Sequence, residues 1–326
     1  MGLAHLVPVL LICVIAGCAR RRVAVPALPP APVADSQPTV DSPQPPPTRR
    51  EVAILFSSAP EYAEVASQLR KLLPSNSYRL ILADVDAEDS QGALAGLRGK
   101  PGLFIVAVGL PAARIARDQF KTPVVFAQVF NYQELLVEGR AIRGVSAMPP
   151  FDLQVQDWKK LDPKLRHVGL IISERHPELI REAESAARAS EVTIEHRISH
   201  SDQETLYLFK RLAPQIDGLW LVPDDQILSP AVLRETLSYA VSHGVRVCVF
   251  SDALLSWGAV LSARPTPVDI ARTVRGVLEA MIAGDTDGVP TLTPLSEFVF
   301  RVNGEVAGRL GLSRPPREAW LVRDNP

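Results

Sequence analysis

The chain has 326 residues, with 35 basic and 36 acidic side chains and a hydrophobic fraction of 47%. This length suits two ordinary domains, and the apolar content is sufficient for two cores. The balanced charge argues against a nucleic-acid partner, because phosphates favour an excess of Lys and Arg. Nine of the 29 prolines lie between Cys18 and Arg50, so a globular body preceded by a proline-rich segment is expected.

Residues 1–17 have the features of a signal peptide. The segment is apolar, is shorter than the roughly 20 residues that a membrane span needs, and ends in small residues. Arg20 to Arg22 follow it and leave an alternative open. If the segment stays uncleaved, these arginines favour a body in the cytoplasm.

The residues Ile15-Ala16-Gly17-Cys18 resemble the lipobox of bacterial lipoproteins. In that family the peptide is cut before the cysteine, and the sulfur carries diacylglycerol. The resemblance implies that Cys18 is the lipidated first residue of the mature chain and that a membrane is a partner through this lipid. Several acyl chains anchor a protein far better than one does.

Residues 18–50 are predicted to be a tether. Their composition is dominated by Pro, Ala, Val, Ser, Asp and Gln, and the X-Pro steps block both helices and sheet ladders. A polyproline II segment of this length reaches on the order of 100 Å. The alternative is an unstructured tail without a role.

The cysteine count excludes an intramolecular disulfide in the mature body. Cys13 is expected to leave with the signal peptide and Cys18 to be acylated, which leaves only Cys248. Cys248 lies in an apolar run typical of a buried strand, where a thiol is inert.

From Glu51 onward, short apolar runs alternate with helical segments. Continuous apolar runs are typical of parallel strands that helices cover on both faces. In the first half, the predicted strands cover 52–56, 78–83, 103–108 and 124–127, and the predicted helices cover 61–73 and 112–120.

The alternation restarts after Met148-Pro149-Pro150. The predicted strands here cover 167–172, 192–198, 219–222, 245–250, 259–263 and 298–302, and the predicted helices cover 153–161, 178–189, 204–212, 230–242 and 269–283. Ser229 is the expected N-cap before Pro230.

This order predicts an α/β fold of two doubly wound parallel-sheet lobes with a cleft between them. The first lobe is expected to contain residues 51–147 and about 264–288. The second is expected to contain 148–263 and about 289–312, and residues 313–326 form a tail.

No catalytic motif is found. The sequence contains no G-x-S-x-G, no phosphate-binding glycine loop and no H-E-x-x-H. His196 and His200 span a predicted strand end, so they are not expected to share a helical face or to hold a metal. We therefore expect a protein that is not an enzyme and that needs no metal or cofactor.

The residues that follow the predicted strands are the candidate binding site, because ligands of parallel sheets lie beyond the carboxyl ends of the strands. They comprise Ser57-Ser58, Gly109-Leu110-Pro111, Phe130-Asn131, Ser173-Glu174, Pro223-Asp224-Asp225 and Ser251-Asp252. Their hydroxyls, amide and carboxylates suit the ammonium and carboxylate of a small solute.

Six segments in order resemble the ABC-transporter substrate-binding lipoproteins of the tryptophan/tyrosine-binding type. They are Val108 to Ala113, Pro123 to Ala127, Gly144 to Ser146, Leu161 to Pro163, Leu221 to Asp225 and Val249 to Asp252, and Val289 to Thr291 and Arg309 to Leu312 also fit. The resemblance covers about residues 51–312. It implies a periplasmic-binding-protein type I fold and delivery of a solute to a permease with a cytoplasmic ATPase.

Carried over by position, the resemblance implies ligand contacts from both lobes. Ser57, Ser58, Gly109, Leu110, Pro111 and Asn131 would line the first lobe, and Asp225, Ser251 and Asp252 the second. Purely local roles remain open: Ser57 or Ser58 as a cap of the next helix, Asp225 as a turn residue, and Ser251-Asp252 as a cap.

Three functional hypotheses follow, of which a two-lobed enzyme is disfavoured because no pair of nucleophile and base can be named. The first is a lipid-anchored solute receptor of an ABC-type importer, which binds a small solute, with aromatic amino acids as the first candidates, between lobes that close about hinges near Met148 and Arg264. The second is an envelope lipoprotein that uses the same fold to bind another protein or to act as a sensor. Family members usually have Thr in place of Leu110 and a Thr-Asp pair in place of Phe130-Asn131, and this less polar wall motivates the second hypothesis. Ala19 after the cysteine favours the periplasmic face of an outer membrane if the cell is Gram-negative.

Overall fold

The computed structural model describes residues 49–312, all of which belong to one compact unit. The predictions for the signal peptide, Cys18, the tether up to residue 48 and the tail at 313–326 lie outside the described residues. Arg50, which we assigned to the end of the tether, begins the first strand. The alternation of strands and helices predicted for the remainder is confirmed.

Twelve strands are found in residues 49–312. They are β1 (Arg50–Phe56), β2 (Tyr78–Asp84), β3 (Phe104–Val108), β4 (Val124–Ala127), β5 (Ile142–Val145), β6 (His167–Ile172), β7 (Thr193–Ile198), β8 (Gly218–Trp220), β9 (Arg246–Val249), β10 (Leu261–Pro265), β11 (Leu292–Thr293) and β12 (Phe298–Val302).

Nine α-helices accompany these strands in the same range. They are α1 (Pro60–Leu72), α2 (Ser90–Ala95), α3 (Leu110–Gln119), α4 (Phe151–Leu161), α5 (Pro177–Ala189), α6 (Asp202–Leu212), α7 (Pro230–Ser242), α8 (Pro267–Ile282) and α9 (Gly304–Arg309). None of these helices is both long and apolar enough to span a bilayer.

The strands form two separate sheets, as the α/β two-lobe prediction requires. The first has the order β11-β5-β4-β3-β1-β2 and the second the order β12-β10-β9-β8-β6-β7. All pairings are parallel except that of β12 with β10, which is antiparallel. Helix α8 returns to the first lobe, where it packs against α1.

One lobe boundary differs from the expectation. We assigned residues from about 289 onward to the second lobe, whereas β11 at Leu292–Thr293 pairs with β5 of the first sheet. The chain re-enters the second sheet only with β12 at Phe298. A two-residue strand leaves no periodic pattern in the sequence, so its pairing was not predictable.

Helices cover both faces of each sheet, which explains the continuous apolar runs. Successive side chains of strands β1 and β3 point to opposite faces of the first sheet. Ile54 therefore lies in the core that α1 and α8 cover, and Leu55 lies in the core that α2 and α3 cover. In the second sheet, α4 and α5 cover one face and α6 and α7 the other.

Buried aromatic residues fix the second core. Trp158 and Trp220 are fully buried and pack edge to face, and the indole of Trp220 donates to Gln154 at 3.0 Å. Cys248 is also fully buried, and burial raises the pKa of its thiol well above the usual value. The buried strand position expected for Cys248 is confirmed.

Three crossovers connect the lobes: residues 146–150, the residue Thr266, and residues 294–297. The third is tied to the start of α8 by the buried carboxylate of Asp269. This carboxylate accepts hydrogen bonds from the backbone N–H groups of Ser296 and Glu297 and from the Ser296 hydroxyl, at 2.9–3.0 Å. Thr266 caps the same helix through the Asp269 N–H.

Candidate functional site

A cavity of about 510 Å³ lies between the lobes, where the loops after β4, β8 and β9 meet. We call it the inter-lobe cavity. The first lobe contributes Glu61, Tyr62, Leu110, Gln128, Val129, Phe130, Asn131, Ala147, Pro267 and Ile270, and the second contributes Pro223, Asp225, Phe250, Ser251, Ala253, Arg264 and Pro265. Its volume is in the range of small-molecule sites.

Aromatic rings form much of the cavity wall. Tyr62 and Phe130 come from the first lobe and Phe250 from the second. The Tyr62 ring packs onto Gly109, where a Cβ atom would lie only 2.9 Å from the ring. Gly109 also has a φ of +87°, which favours glycine. Its lack of a side chain therefore allows the Tyr62 ring to contact the start of α3.

The charged groups at the cavity are two carboxylates and one guanidinium, those of Glu61, Asp225 and Arg264. Glu61 and Asp225 are exposed to the cavity solvent. Burial raises the pKa of the Tyr62 phenol, and the negative charges of Glu61 and Asp225 raise it further. The phenol therefore stays protonated between a carboxylate of each lobe.

Arg264 is already held by Asp252. Its Nε donates to Oδ2 of Asp252 at 2.7 Å, and Arg301 approaches the same oxygen at 3.3 Å. The Ser262 hydroxyl donates to the other oxygen at 2.6 Å. Asp252 thus orients Arg264 and occupies part of its donor capacity.

Asn131 links the lobes directly. Its side-chain N–H donates to the carboxylate of Asp225, and Oδ1 of Asp224 lies 3.4 Å from the same nitrogen. Its oxygen lies 2.6 Å from Nε2 of His176. Since the amide nitrogen faces carboxylates, the oxygen accepts, and His176 is protonated at Nε2.

Gln133 extends this contact. Its amide nitrogen lies 3.1 Å from Nδ1 of His176 and donates to Glu178 at 2.8 Å. His176 is buried and its ring packs on Phe130 with centroids 4.6 Å apart. Burial lowers the pKa of His176, opposed by Asp224 and Glu178, so the neutral ring is favoured.

Gln128 is the strained residue of the cavity wall. It has a φ of +55°, a conformation that costs a non-glycine residue on the order of 1 kcal/mol or more. Its side-chain oxygen is buried and has no hydrogen-bond partner among the described residues. A buried acceptor without a donor is costly, so this oxygen adds to the cost of the Gln128 conformation.

Four of the predicted contact residues line the cavity: Leu110, Asn131, Asp225 and Ser251. Ser251 also fulfils the alternative role, because its hydroxyl accepts from the Ala253 N–H at 3.4 Å and caps the turn at Asp252–Trp257. Asn131 is largely occupied by its contact with the second lobe.

The other five predicted residues lie outside the cavity lining. Ser57 donates to Asp86, which follows β2, and Ser58 donates to Asp84, the last residue of β2; neither side chain caps α1. Gly109 supports Tyr62, Pro111 is exposed in the first turn of α3, and Asp252 acts on Arg264. The capture of both hydroxyls by carboxylates of the next strand was not visible in the local sequence.

Sequence reasoning missed Tyr62, Gln128, Arg264 and His176. Tyr62 and His176 lie at the beginnings of α1 and α5, and Gln128 directly follows β4, so their positions at strand-to-helix connections were the available signal. Arg264 lies in β10, and sequence reasoning considered it only as a lobe boundary and a hinge position. In residues 49–312, no group of three or more His, Cys, Asp or Glu side chains is arranged to hold a metal ion.

Comparison with known proteins found no matching protein family and no matching curated protein. Solved structures match at the level of the fold. An ABC domain in complex with L-Trp from Streptococcus pneumoniae is 19% identical, with a TM-score of 0.56, over 82% of this chain and 96% of that one.

Two further structures show the same likeness. A substrate-binding protein with adhesive properties from Clostridium difficile, in a ligand-free and open form, is 15% identical with a TM-score of 0.60, over 83% of this chain and 97% of that one. A conserved domain protein from Vibrio cholerae is 14% identical with a TM-score of 0.57, over the same shares. The chain therefore has the two-lobed fold of the periplasmic-binding proteins of type I.

Proposed function

We propose that the protein is a receptor that binds a small solute in the inter-lobe cavity. The observation that carries the proposal is the cavity itself, which both lobes line at the carboxyl ends of parallel strands. Apolar and aromatic walls with a few polar groups are typical of small-molecule sites. Two solved structures of the same fold are described as an L-Trp complex and a substrate-binding protein.

The transport role rests on the sequence. The lipobox at Cys18 and the ordered segments that resemble ABC substrate-binding lipoproteins support a lipid-anchored receptor on the periplasmic side, which delivers its solute to an ABC-type permease. We include in the proposal that the protein is not an enzyme. A tether from Cys18 would let the body reach a permease in the membrane.

Binding is tested by a thermal-shift screen of the full chain in detergent with amino acids, amines, sugars and carboxylic acids. A ligand that binds only the folded state increases the free energy of unfolding, by about 2.7 kcal/mol at a ligand concentration of one hundred times Kd. The melting temperature therefore rises. A matched variant, Ala147→Trp, fills the cavity from its wall and should abolish the shift. If no solute stabilises the parent protein, the receptor proposal is wrong.

Anchoring is tested separately. Cells that express the parent chain should incorporate labelled palmitate into the protein and retain it in the membrane fraction. The Cys18→Ser variant should lose both, whereas Cys248→Ser should keep both. Incorporation of labelled palmitate into the Cys18→Ser variant would refute lipid attachment at Cys18.

An envelope scaffold that binds another protein is the second candidate. The lobes are joined by their own side chains, through Asn131, Asp225 and His176, so this contact does not require a solute. Permease and ATPase genes beside this gene would favour the importer. Capture of a defined envelope protein by the parent chain and by Ala147→Trp alike would favour the scaffold.

A further inference from the structure

The charged side chains that line the inter-lobe cavity are two carboxylates and one guanidinium, so their net charge is negative. Glu61 and Asp225 present two exposed carboxylates, one from each lobe. The two groups lie on different segments and are complementary to a cationic donor.

Several donors that could bind a ligand carboxylate have other partners. The hydroxyls of Ser57 and Ser58 donate to Asp86 and Asp84, outside the cavity. Arg264 donates from Nε to Asp252. The Asn131 amide donates to Asp225. A ligand with a free carboxylate would therefore meet two carboxylates and one guanidinium that is already paired.

The aromatic side chains that line the cavity also suit a cationic ligand. Tyr62, Phe130 and Phe250 present aromatic rings to the cavity from both lobes. Aromatic faces attract cations and also pack against an apolar or aromatic body. The Tyr62 phenol stays neutral, since burial and the nearby carboxylates raise its pKa.

From this geometry we infer that the cavity takes a primary amine with an aromatic body and without a carboxylate, bound by Glu61 and Asp225. The inference rests on the proposed receptor function and narrows its ligand class. The ammonium group pairs with these carboxylates. A zwitterionic amino acid is disfavoured because its own carboxylate would be repelled by those of Glu61 and Asp225.

The test compares amines with the amino acids that differ from them only by a carboxylate. The pairs are phenethylamine with phenylalanine, tyramine with tyrosine, and tryptamine with tryptophan. Binding to the full chain is measured by calorimetry at pH 7.5. At least one amine should bind at least about tenfold more tightly than its amino acid, and 3-phenylpropionate should not bind.

Single substitutions test which carboxylates bind the amine. Glu61→Gln and Asp225→Asn should each weaken binding of the amine by about tenfold, the usual effect of losing one close charged contact. Glu64→Gln removes an exposed carboxylate from the same helix, outside the cavity lining, and should change the affinity less than twofold. Equal losses in all three variants would show only a general charge effect and would overturn the assignment.

The outcomes separate this inference from the function on which it rests. If an amino acid binds as tightly as its amine, or if only an uncharged or anionic solute binds, the inference is wrong while the receptor function stands. If no amine, amino acid or other solute of the screen binds, both are wrong. If amines bind the Glu61→Gln and Asp225→Asn variants as tightly as the parent protein, the assignment of binding to these carboxylates is wrong.

Discussion

The Nε2 atom of His176 donates to the side-chain oxygen of Asn131 at 2.6 Å, across the boundary between the two lobes. Asn131 follows the strand β4 of the first sheet, and His176 precedes α5 of the second lobe. Both residues are buried, with 4% and 1% of their surface exposed. A hydrogen bond between two buried groups of different lobes stabilises one relative position of the lobes.

Asn131→Ala should destabilise the protein by about 1–3 kcal/mol, because it leaves the buried His176 N–H without its acceptor and Asp225 without a donor. Urea denaturation at pH 7.5 measures the change. Asn76→Ala, in an exposed turn, is the control and should stay within about 0.5 kcal/mol of the parent. Equal stability of the two variants would contradict a structural role for the inter-lobe contact.

The stability should fall as the pH decreases below the unfolded-state pKa of His176, about 6.5. Burial lowers the pKa of His176 in the folded state, with Asp224 and Glu178 opposing and Arg175 adding to this effect. Between the unfolded and the folded pKa the unfolded chain binds the proton first, so unfolding is favoured there. Above both values the ring is neutral in both states and contributes no slope.

Denaturation midpoints between pH 7.5 and 5 measure this dependence. His176→Gln removes the titrating ring and should flatten the curve, whatever its effect on the stability at pH 7.5. His167→Gln, which changes an exposed histidine at the start of β6, should leave the slope as in the parent. If His176→Gln keeps the full dependence of stability on pH, other titrating groups cause that dependence.

Gly109→Ala should both destabilise the protein and alter the cavity. The added Cβ would lie 2.9 Å from the Tyr62 ring, and the φ of +87° is unfavourable for alanine. We expect a loss of about 1–3 kcal/mol in chemical denaturation and a weaker thermal shift by any solute. Gly92→Ala in α2, where a Cβ meets nothing within 4 Å, should be neutral or slightly stabilising. Similar losses in both variants would rule out the contact with Tyr62 as the cause.

Asp252→Asn should change ligand preference. Without the carboxylate, the guanidinium of Arg264 loses its ion pair and can turn to a ligand carboxylate in the cavity. The affinity ratio of phenylalanine to phenethylamine should rise by about tenfold, as calorimetry can measure. Asp287→Asn, a fully exposed carboxylate, provides the control for net charge. An unchanged ratio in Asp252→Asn would show that Arg264 does not limit carboxylate binding.

The fold was largely predictable because its signals are local. The apolar runs at β4, β6 and β12 gave the exact strand bounds, and Ser229 with Pro230 gave the start of α7. The strand β5 was not predicted, because it contains Arg143 and Gly144. Gly144 is required by its neighbour, since Phe126 of β4 fills the space that a side chain would take. That requirement exists only once the two strands are paired.

The candidate site was predictable only in part, for the same reason. The loops after the strands located Leu110, Asn131, Asp225 and Ser251 at the cavity. The partners of side chains depend on tertiary contacts, so the sequence did not show that Asp86 binds Ser57 or that Asp252 binds Arg264. Pairs that are 29 and 12 positions apart leave no periodic pattern.

The anchoring of the third crossover by Asp269 restricts where the backbone can twist. Because the backbone N–H groups of Ser296 and Glu297 donate to Asp269 in the first turn of α8, residues up to Glu297 are attached to the first lobe. Any rotation of one lobe against the other then concentrates its dihedral changes in the peptide between Glu297 and Phe298 and in the two earlier connections. The axis of that rotation passes close to these three places.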